Sequence, residues 1–317
     1  MINATRRALP QWQNVALPGI AWVLLGLIVI FSLTAKDFAS SANAWNVGTQ
    51  ATLLLLLALP MTLVILTEGL DLSMGAVLSL CTVILASVDI ASGSLGLGLG
   101  AALAVGITFG VLNGWLVAWM GVTPFVATLG TMGLAQGLAL VAIEGRETIG
   151  VTAELRSLWE GHWVGLPIPI VGALVAYVLL HVVLYHTRFG ARVISLGGNR
   201  EALRLAGLNV NWYLMLVYVI AGGCVAVSAM LLTARINGGN ASAAIGMEFD
   251  AIAAVIVGGT SFTSGRGGLL GSLFGVLTVS VLRNGLNLLA LQASVQVAAV
   301  GLLVIVALAI DARAGKV

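Results

Sequence analysis

The chain alternates long apolar stretches with short polar joints. Ten apolar segments stand out: 15–34, 47–67, 72–90, 95–120, 122–143, 167–185, 213–234, 249–262, 268–291 and 293–310. Most are close to the roughly 20 residues a helix needs to cross a bilayer. The eighth is the shortest and is interrupted by Gly258 and Gly259; the ninth carries Arg283. The pattern predicts an all-α, polytopic membrane helix bundle of about ten transmembrane helices, built as a single domain over residues 1–317.

Composition agrees with that reading. Of the 317 residues, 60% are hydrophobic and 8% charged, whereas soluble domains carry roughly 25% charged residues. The lipid bilayer is therefore the expected surrounding, and a net charge of +2 gives no electrostatic footprint for nucleic acid. Cys81 and Cys224 each lie inside an apolar run and read as small buried hydrophobes. The Arg6–Arg7 pair, the apolar run after it and the "ANA" at 42–44 have the outline of a signal peptide. That run is longer than the usual 7–15 residues, so it reads as an uncleaved first span.

Lysine and arginine placement orients the bundle. With the N-terminus in the cytoplasm and ten crossings, nine basic residues fall inside: Arg6, Arg7, Arg188, Arg192, Arg200, Arg204, Arg266, Arg313 and Lys316. Four fall outside, namely Lys36, Arg146, Arg156 and Arg235. Both termini and the 186–212 loop are then cytoplasmic, and 144–166 is the largest external loop. Glycines at four-residue spacing, Gly106, Gly110 and Gly114, then Gly267, Gly271 and Gly275, predict close helix–helix approach.

The chemistry that is missing narrows the function. There is no G-x-x-x-x-G-K-[ST] phosphate loop, no H-E-x-x-H, no Cys/His cluster and no G-x-S-x-G elbow. His162, His181 and His186 are scattered, and His181 reads as a packed residue. The chain reads as a non-enzyme with no cofactor and no metal, so any uphill movement must draw on an ion gradient or another subunit.

Four polar features remain. "TEGLDLSMG", 67–75, puts Glu68 and Asp71 at a helix junction, with Gly69 as the breaker and Ser73 beside it. Asp71 is either a cap for a helix starting at Leu72 or a functional ion at membrane depth. "VGGTSFTSGRGG", 257–268, is a second break of the same kind, carrying Thr260 and Ser261. Arg283, with Asn284 and Asn287, sits inside a span; it either snorkels or pairs structurally, or it lines a path.

The fourth is the basic loop itself. Asn199 is a good N-cap and Gly207 a good stop for a short helix, "REALRLA". Leu203 and Ala206 share a face, with Leu205 close by; Arg200 and Arg204 share another, with Glu201 in the first turn. Such a helix suits a groove on a partner, with Leu203 as anchor, Leu205 beside it and the two arginines on acidic rim groups. The plainer reading is a basic membrane-surface helix.

In "GLDLSMG" (69–75), "TPFVATLGTMG" (123–133), "SLGGNREALRLAGLNV" (195–210) and "AAVIVGGTSFTSGRGGLLGSLFG" (253–275), the chain resembles the inner-membrane permeases of ribose/xylose/arabinose-type ATP-binding-cassette sugar importers. The resemblance implies a ten-helix fold of the larger, type II-like importer kind. It also implies a second permease subunit, a cytoplasmic ATPase and a periplasmic sugar-binding protein. With such a partner, the capped helix at 199–207 is expected to dock into the ATPase. Two other readings stay open: a permease for branched-chain amino acids or nucleosides, and an ion-coupled carrier or channel.

Overall fold

A computed structural model describes residues 19–144, 148–261 and 265–314. Arg6, Arg7, Arg146, Lys316, the first four residues of the expected span 15–34, and residues 262–264 of the second break lie outside them. Among the described residues there are thirteen helices: α1 (Gly19–Thr34), α2 (Ser41–Leu66), α3 (Met74–Ser92), α4 (Leu95–Ala118), α5 (Pro124–Ala142), α6 (Ala153–Glu160), α7 (Ile168–His186), α8 (Arg188–Leu196), α9 (Arg200–Leu205), α10 (Val210–Ile236), α11 (Met247–Val257), α12 (Leu269–Leu288) and α13 (Ala293–Ala314). Four two-residue strands complete the inventory. β1 (Thr148–Ile149) pairs antiparallel with β4 (Gly238–Gly239), and β2 (His162–Trp163) pairs with β3 (Leu166–Pro167).

Seven helices are long and apolar enough to cross a membrane: α2, α3, α4, α5, α7, α10 and α12. Helix α1 and the Ala293–Ala309 part of α13 are shorter apolar helices. The expected span 249–262 is not a full span. Its helix, α11, has 11 residues, a rise of only about 16 Å.

The apolar periodicity is weak because the central helices are buried all round. Every residue of α2 from Ala51 to Leu66 is buried, and α3 is buried from Met74 to Val83. Helices apolar on every face belong in a core. Around them α4, α5 and α7 turn large apolar side chains outward, among them Ile107, Val126, Leu138 and Val178. That is the face lipid solvates.

Five of the six spaced glycines make the close helix contacts they predict. A Cβ at Gly106 would stand 2.3 Å from the Gly222 carbonyl oxygen, and one at Gly222 would stand 2.0 Å from that of Gly106. Gly110 meets Tyr218 and Gly114 meets Met215, so the whole α4 stripe lies on α10. In the second set Gly271 meets Gly258, and Gly275 meets the Ala254 carbonyl, joining α12 to α11. Gly267 lies before α12 with φ +136°, so it serves the turn rather than the helix contact. Polar pairs fix the register of α2 on α12: Asn43 and Asn284 exchange amide hydrogen bonds at 2.9 and 3.0 Å, and the Thr62 and Ser272 hydroxyls lie 2.6 Å apart. Cys81 is buried and free, and Cys224 is free as well.

One connection breaks the simple up-and-down plan. After α10 the chain turns at Asn237 (φ 54°), pairs as β4 with β1, and runs back beside α3 rather than staying in an outer loop. Gly239 packs on Thr82 and Val83, and Ala244 approaches Gly75. The hydroxyls of α3 satisfy this non-helical backbone. Thr82 donates to the Asn240 carbonyl at 3.4 Å, and Ser79 accepts from the Ala244 N–H at 3.0 Å. Irregular backbone survives among apolar helices only when protein supplies such partners.

Gly106→Val is expected to lower the thermal midpoint of the detergent-solubilised protein markedly, since overpacking a tight contact costs about 1–3 kcal/mol. Gly130→Val, at a glycine whose added Cβ would meet nothing within 4 Å, is the control and should leave the midpoint unchanged. Equal midpoints for both variants would contradict the packing described for α4 and α10.

Candidate functional site

The break after α2 is built by Glu68 rather than by Gly69. Glu68 takes φ 59°. Its N–H bonds to the Ile65 carbonyl at 2.9 Å, and the N–H of Gly69 reaches the Val64 carbonyl at 3.0 Å. This pair of bonds is the Schellman ending usually made with glycine. Gly69 is required for room instead: its Cβ would lie 3.0 Å from the Tyr218 hydroxyl and from Val64.

Helix α3 begins at Met74, two residues later than the expected Leu72, and Ser73 is its N-cap residue without a side-chain cap bond. Asp71 is therefore not the cap. It is buried, and one carboxylate oxygen accepts the Ser73 N–H at 2.9 Å and the Ser73 hydroxyl at 2.6 Å. Asn113 of α4 donates to Ser73 at 2.9 Å, and Thr131 of α5 donates to Asn113 at 2.6 Å. The Leu72 N–H is taken by Thr128 at 3.1 Å. Asp71 and Ser73 thus knot α4 and α5 onto the junction, beside a void about the size of one water.

The basic segment folds as two short helices. Helix α8 adds to the one helix expected there; Thr187 as cap and the Phe189, Val193, Leu196 spacing are its signals in the sequence. Thr187 accepts the Gly190 N–H at 3.2 Å, and Gly190, Val193 and Leu196 are buried. Helix α9 has the expected ends: Asn199 accepts the Ala202 N–H at 2.9 Å, and Gly207 has φ +77° with Leu208 N–H on the Leu203 carbonyl at 3.1 Å.

Its faces differ from the expected arrangement. Leu203 turns back onto the small cluster of Leu196, Val210 and Leu214, whereas Leu205 is 82% exposed. Arg204 and Glu201 form a loose exposed pair at 3.7 Å. Arg200 points inward, and its guanidinium donates to the Thr67 carbonyl oxygen. A cation on the last carbonyls of a helix is favourable, because those acceptors have no intrahelical partner.

The two sequence breaks meet here. A Cβ at Gly197, between α8 and α9, would stand 2.0 Å from the Leu66 carbonyl and 2.8 Å from Gly265 of the second break. Tyr185 at the end of α7 accepts the Leu269 N–H at 3.1 Å. In that second break Thr260 is buried and Ser261 donates its N–H to the Arg266 carbonyl at 2.8 Å.

Arg283 belongs to a different place. It pairs with Asp250 of α11 at 2.6 Å, with both groups partly exposed. Asn287 is exposed one turn further along α12. Glu248, also on α11, is buried, accepts the Gly246 N–H at 3.0 Å, and occupies the space that Gly75 leaves open. Neither carboxylate stands out in the sequence, because 249–262 looks like an ordinary span with Glu248 just before it and Asp250 at its second position.

Helices interrupted inside an apolar bundle, with buried polar groups at the interruptions, are the build of a membrane transporter. The family described as branched-chain amino acid transport system / permease component matches residues 43–308, and the chain belongs to that family. It is 35% identical to the ribose import permease protein RbsC of Bacillus subtilis (strain 168), over 90% of each chain. It is 31% identical to the D-allose transport system permease protein AlsC of Escherichia coli (strain K12), over 94% of this chain and 92% of that one. It is 32% identical to the galactose/methyl galactoside import permease protein MglC of Haemophilus influenzae, over 92% and 93%. No solved structure gives a significant match.

Removing one member of a fully buried ion pair costs about 3–5 kcal/mol, whereas exposed pairs are worth about 0.2–1 kcal/mol; the partly exposed Asp250–Arg283 pair is expected between those limits. Arg283→Met should therefore lower the thermal midpoint, and the double variant Asp250→Asn, Arg283→Met should recover much of the loss. A double variant no better than the single one would show that the two side chains do not depend on each other.

Proposed function

We propose that the chain is the permease subunit of an ATP-driven importer and forms the membrane path for a monosaccharide. The family description mentions branched-chain amino acids. The relatives that match over nine-tenths of both lengths are described by their names as permeases for ribose, allose and galactose, and these favour the sugar. In this reading residues 1–317 form one membrane domain with both termini and 186–212 cytoplasmic and 144–166 periplasmic, in keeping with the charge placement. A periplasmic sugar-binding protein delivers the substrate, a second permease subunit completes the path, and a cytoplasmic ATP-binding-cassette ATPase supplies the energy. That last role falls to a partner because no phosphate loop is present here.

The observation that carries this reading is the mounting of α9. Its inner side is fixed by Arg200 on the end of α2 and by Leu203 in its apolar cluster, while Leu205 projects. A short rigid helix with one exposed leucine beside Glu201 and Arg204 fits a groove on an ATPase. Asn199 and Gly207 hold its ends. Movement of α9 passes through Arg200 to the α2–α3 junction, where Asp71 and Ser73 keep α4 and α5 in step, and through Gly197 to the Thr260–Ser261 break. Arg283 with Asp250, and Asn287, are the groups we place along the path.

Leu205→Asp is expected to release the ATPase, or to abolish ATP-driven uptake of D-ribose, D-allose and D-galactose in vesicles containing the full complex. Truncating an interface anchor can cost ~2 kcal/mol or more, which is over tenfold in affinity. Glu201→Ala, on the rim, should cost far less. Wild-type ATPase capture and uptake in Leu205→Asp would overturn the docking role of α9. Failure of the unaltered complex to take up any of the three sugars would overturn the monosaccharide reading.

A further inference from the structure

At the end of the bundle opposite α8 and α9, the first turns of α2, helix α6, the β2–β3 hairpin and the end of α10 enclose an open cleft of about 460 Å³. That lies within the roughly 300–1,000 Å³ of small-molecule sites. We propose that this cleft is a weak monosaccharide-binding subsite on the permease itself, receiving the sugar before it enters the bundle. The inference rests on the importer reading above, which puts this end outside the cell.

Its walls come from elements that have reason to stand clear of lipid. Helix α2 has 26 residues, about 39 Å, whereas the hydrocarbon layer is about 30 Å thick. Its continuous buried run begins only at Ala51, and the ten residues before it include Asn43, Asn46, Thr49 and Gln50. The excess length lifts Trp45, Asn46 and Gln50 to the level of the polar hairpin. Across the cleft stand Trp159 of α6, His162 of the hairpin and Arg235 of α10.

These side chains match a sugar better than the other ligands in question. A monosaccharide offers an apolar face of C–H groups and a rim of hydroxyls, each both donor and acceptor. Trp45 is 48% exposed, which leaves indole surface for the C–H face. The Arg235 guanidinium lies over the Trp159 ring, 5.4 Å from its centre, held there by cation–π attraction. Arg235 is exposed, lines the cleft and forms no ion pair among the described residues. Gln50 donates to the Asn46 carbonyl at 2.7 Å. The Asn46 N–H groups and the Gln50 carbonyl thereby keep their capacity for hydroxyls.

Among the described residues no carboxylate lines the cleft. A zwitterionic amino acid would find no counter-ion for its ammonium among these side chains, only amide carbonyls and indole faces. A neutral polyhydroxyl carries no such requirement.

The test uses the purified permease in lipid nanodiscs without its binding protein. D-ribose, D-allose and D-galactose are probed one at a time by saturation-transfer NMR, with L-leucine and glycerol as controls. At least one sugar should receive saturation, chiefly at ring C–H protons, and neither control should. Trp45→Ala and Gln50→Ala, both exposed positions, should each weaken that sugar about tenfold, the loss of one stacking or amide contact, while eluting as monodisperse protein. Absence of saturation from all three sugars overturns the subsite, and so does a sugar signal unchanged in both variants. Saturation of L-leucine overturns the assigned ligand class. Loss of capture of the sugar-binding protein in the variants, without any sugar signal, makes the cleft a docking surface and overturns it too. Uptake by the reconstituted complex is scored separately: uptake without binding removes only the subsite, and binding without uptake removes only the importer reading.

Discussion

The contact between the Arg200 guanidinium and the Thr67 carbonyl oxygen is where the demands of the bilayer and of the basic segment meet. Helix α2 is buried from Ala51 to Leu66 and Thr67 is buried after it, so its last carbonyls look for partners within the protein. Glu68 and Gly69 close two of those acceptors by folding back, and Thr67 is left for a donor from elsewhere. An arginine on a neighbouring helix is a strong donor at a helix C-terminus, where the backbone dipole favours a cation. The consequence is that α9 cannot shift without disturbing the end of α2.

The same accounting explains the other interruptions. Where the chain leaves α10 and runs back along α3, serine and threonine hydroxyls of α3 replace the lost ladder. Where α11 begins, Glu248 takes the Gly246 N–H, and Gly75 is glycine because that carboxylate fills the space a Cβ would need. The motif around Asp71 and the start of α11 are thus one packed unit, although 173 residues separate Gly75 from Glu248. Glycines make these joints possible: Gly197, Gly258 and Gly271 let backbone lie directly on backbone.

Much of this architecture can be read along the chain. The apolar stretches locate the long helices, the four-residue glycine spacing marks the α4–α10 seam, and Asn199 and Gly207 mark both ends of α9. What escapes a one-dimensional reading is whatever depends on a distant partner. Arg283 advertises a need for a counter-ion, but only packing of α11 on α12 selects Asp250. Leu203 reads as the docking anchor until Leu196, Val210 and Leu214 claim it and leave Leu205 exposed. Asp71 resembles a cap, yet Ser73 takes the cap position and Asp71 becomes its hydrogen-bond partner. The half-length α11 was hidden by an apolar run that continues past the helix end at Val257.

In the proposed importer Arg200 transmits movement, while Leu205 docks. This division of roles is tested most directly by Arg200→Gln in the reconstituted complex, measuring ATPase capture, ATP hydrolysis and sugar uptake in the same vesicles. Capture and hydrolysis should persist while uptake falls by about tenfold or more, the loss of a charge-assisted hydrogen bond of roughly 1.5–3 kcal/mol. Uptake in step with hydrolysis at the unaltered level would contradict that division.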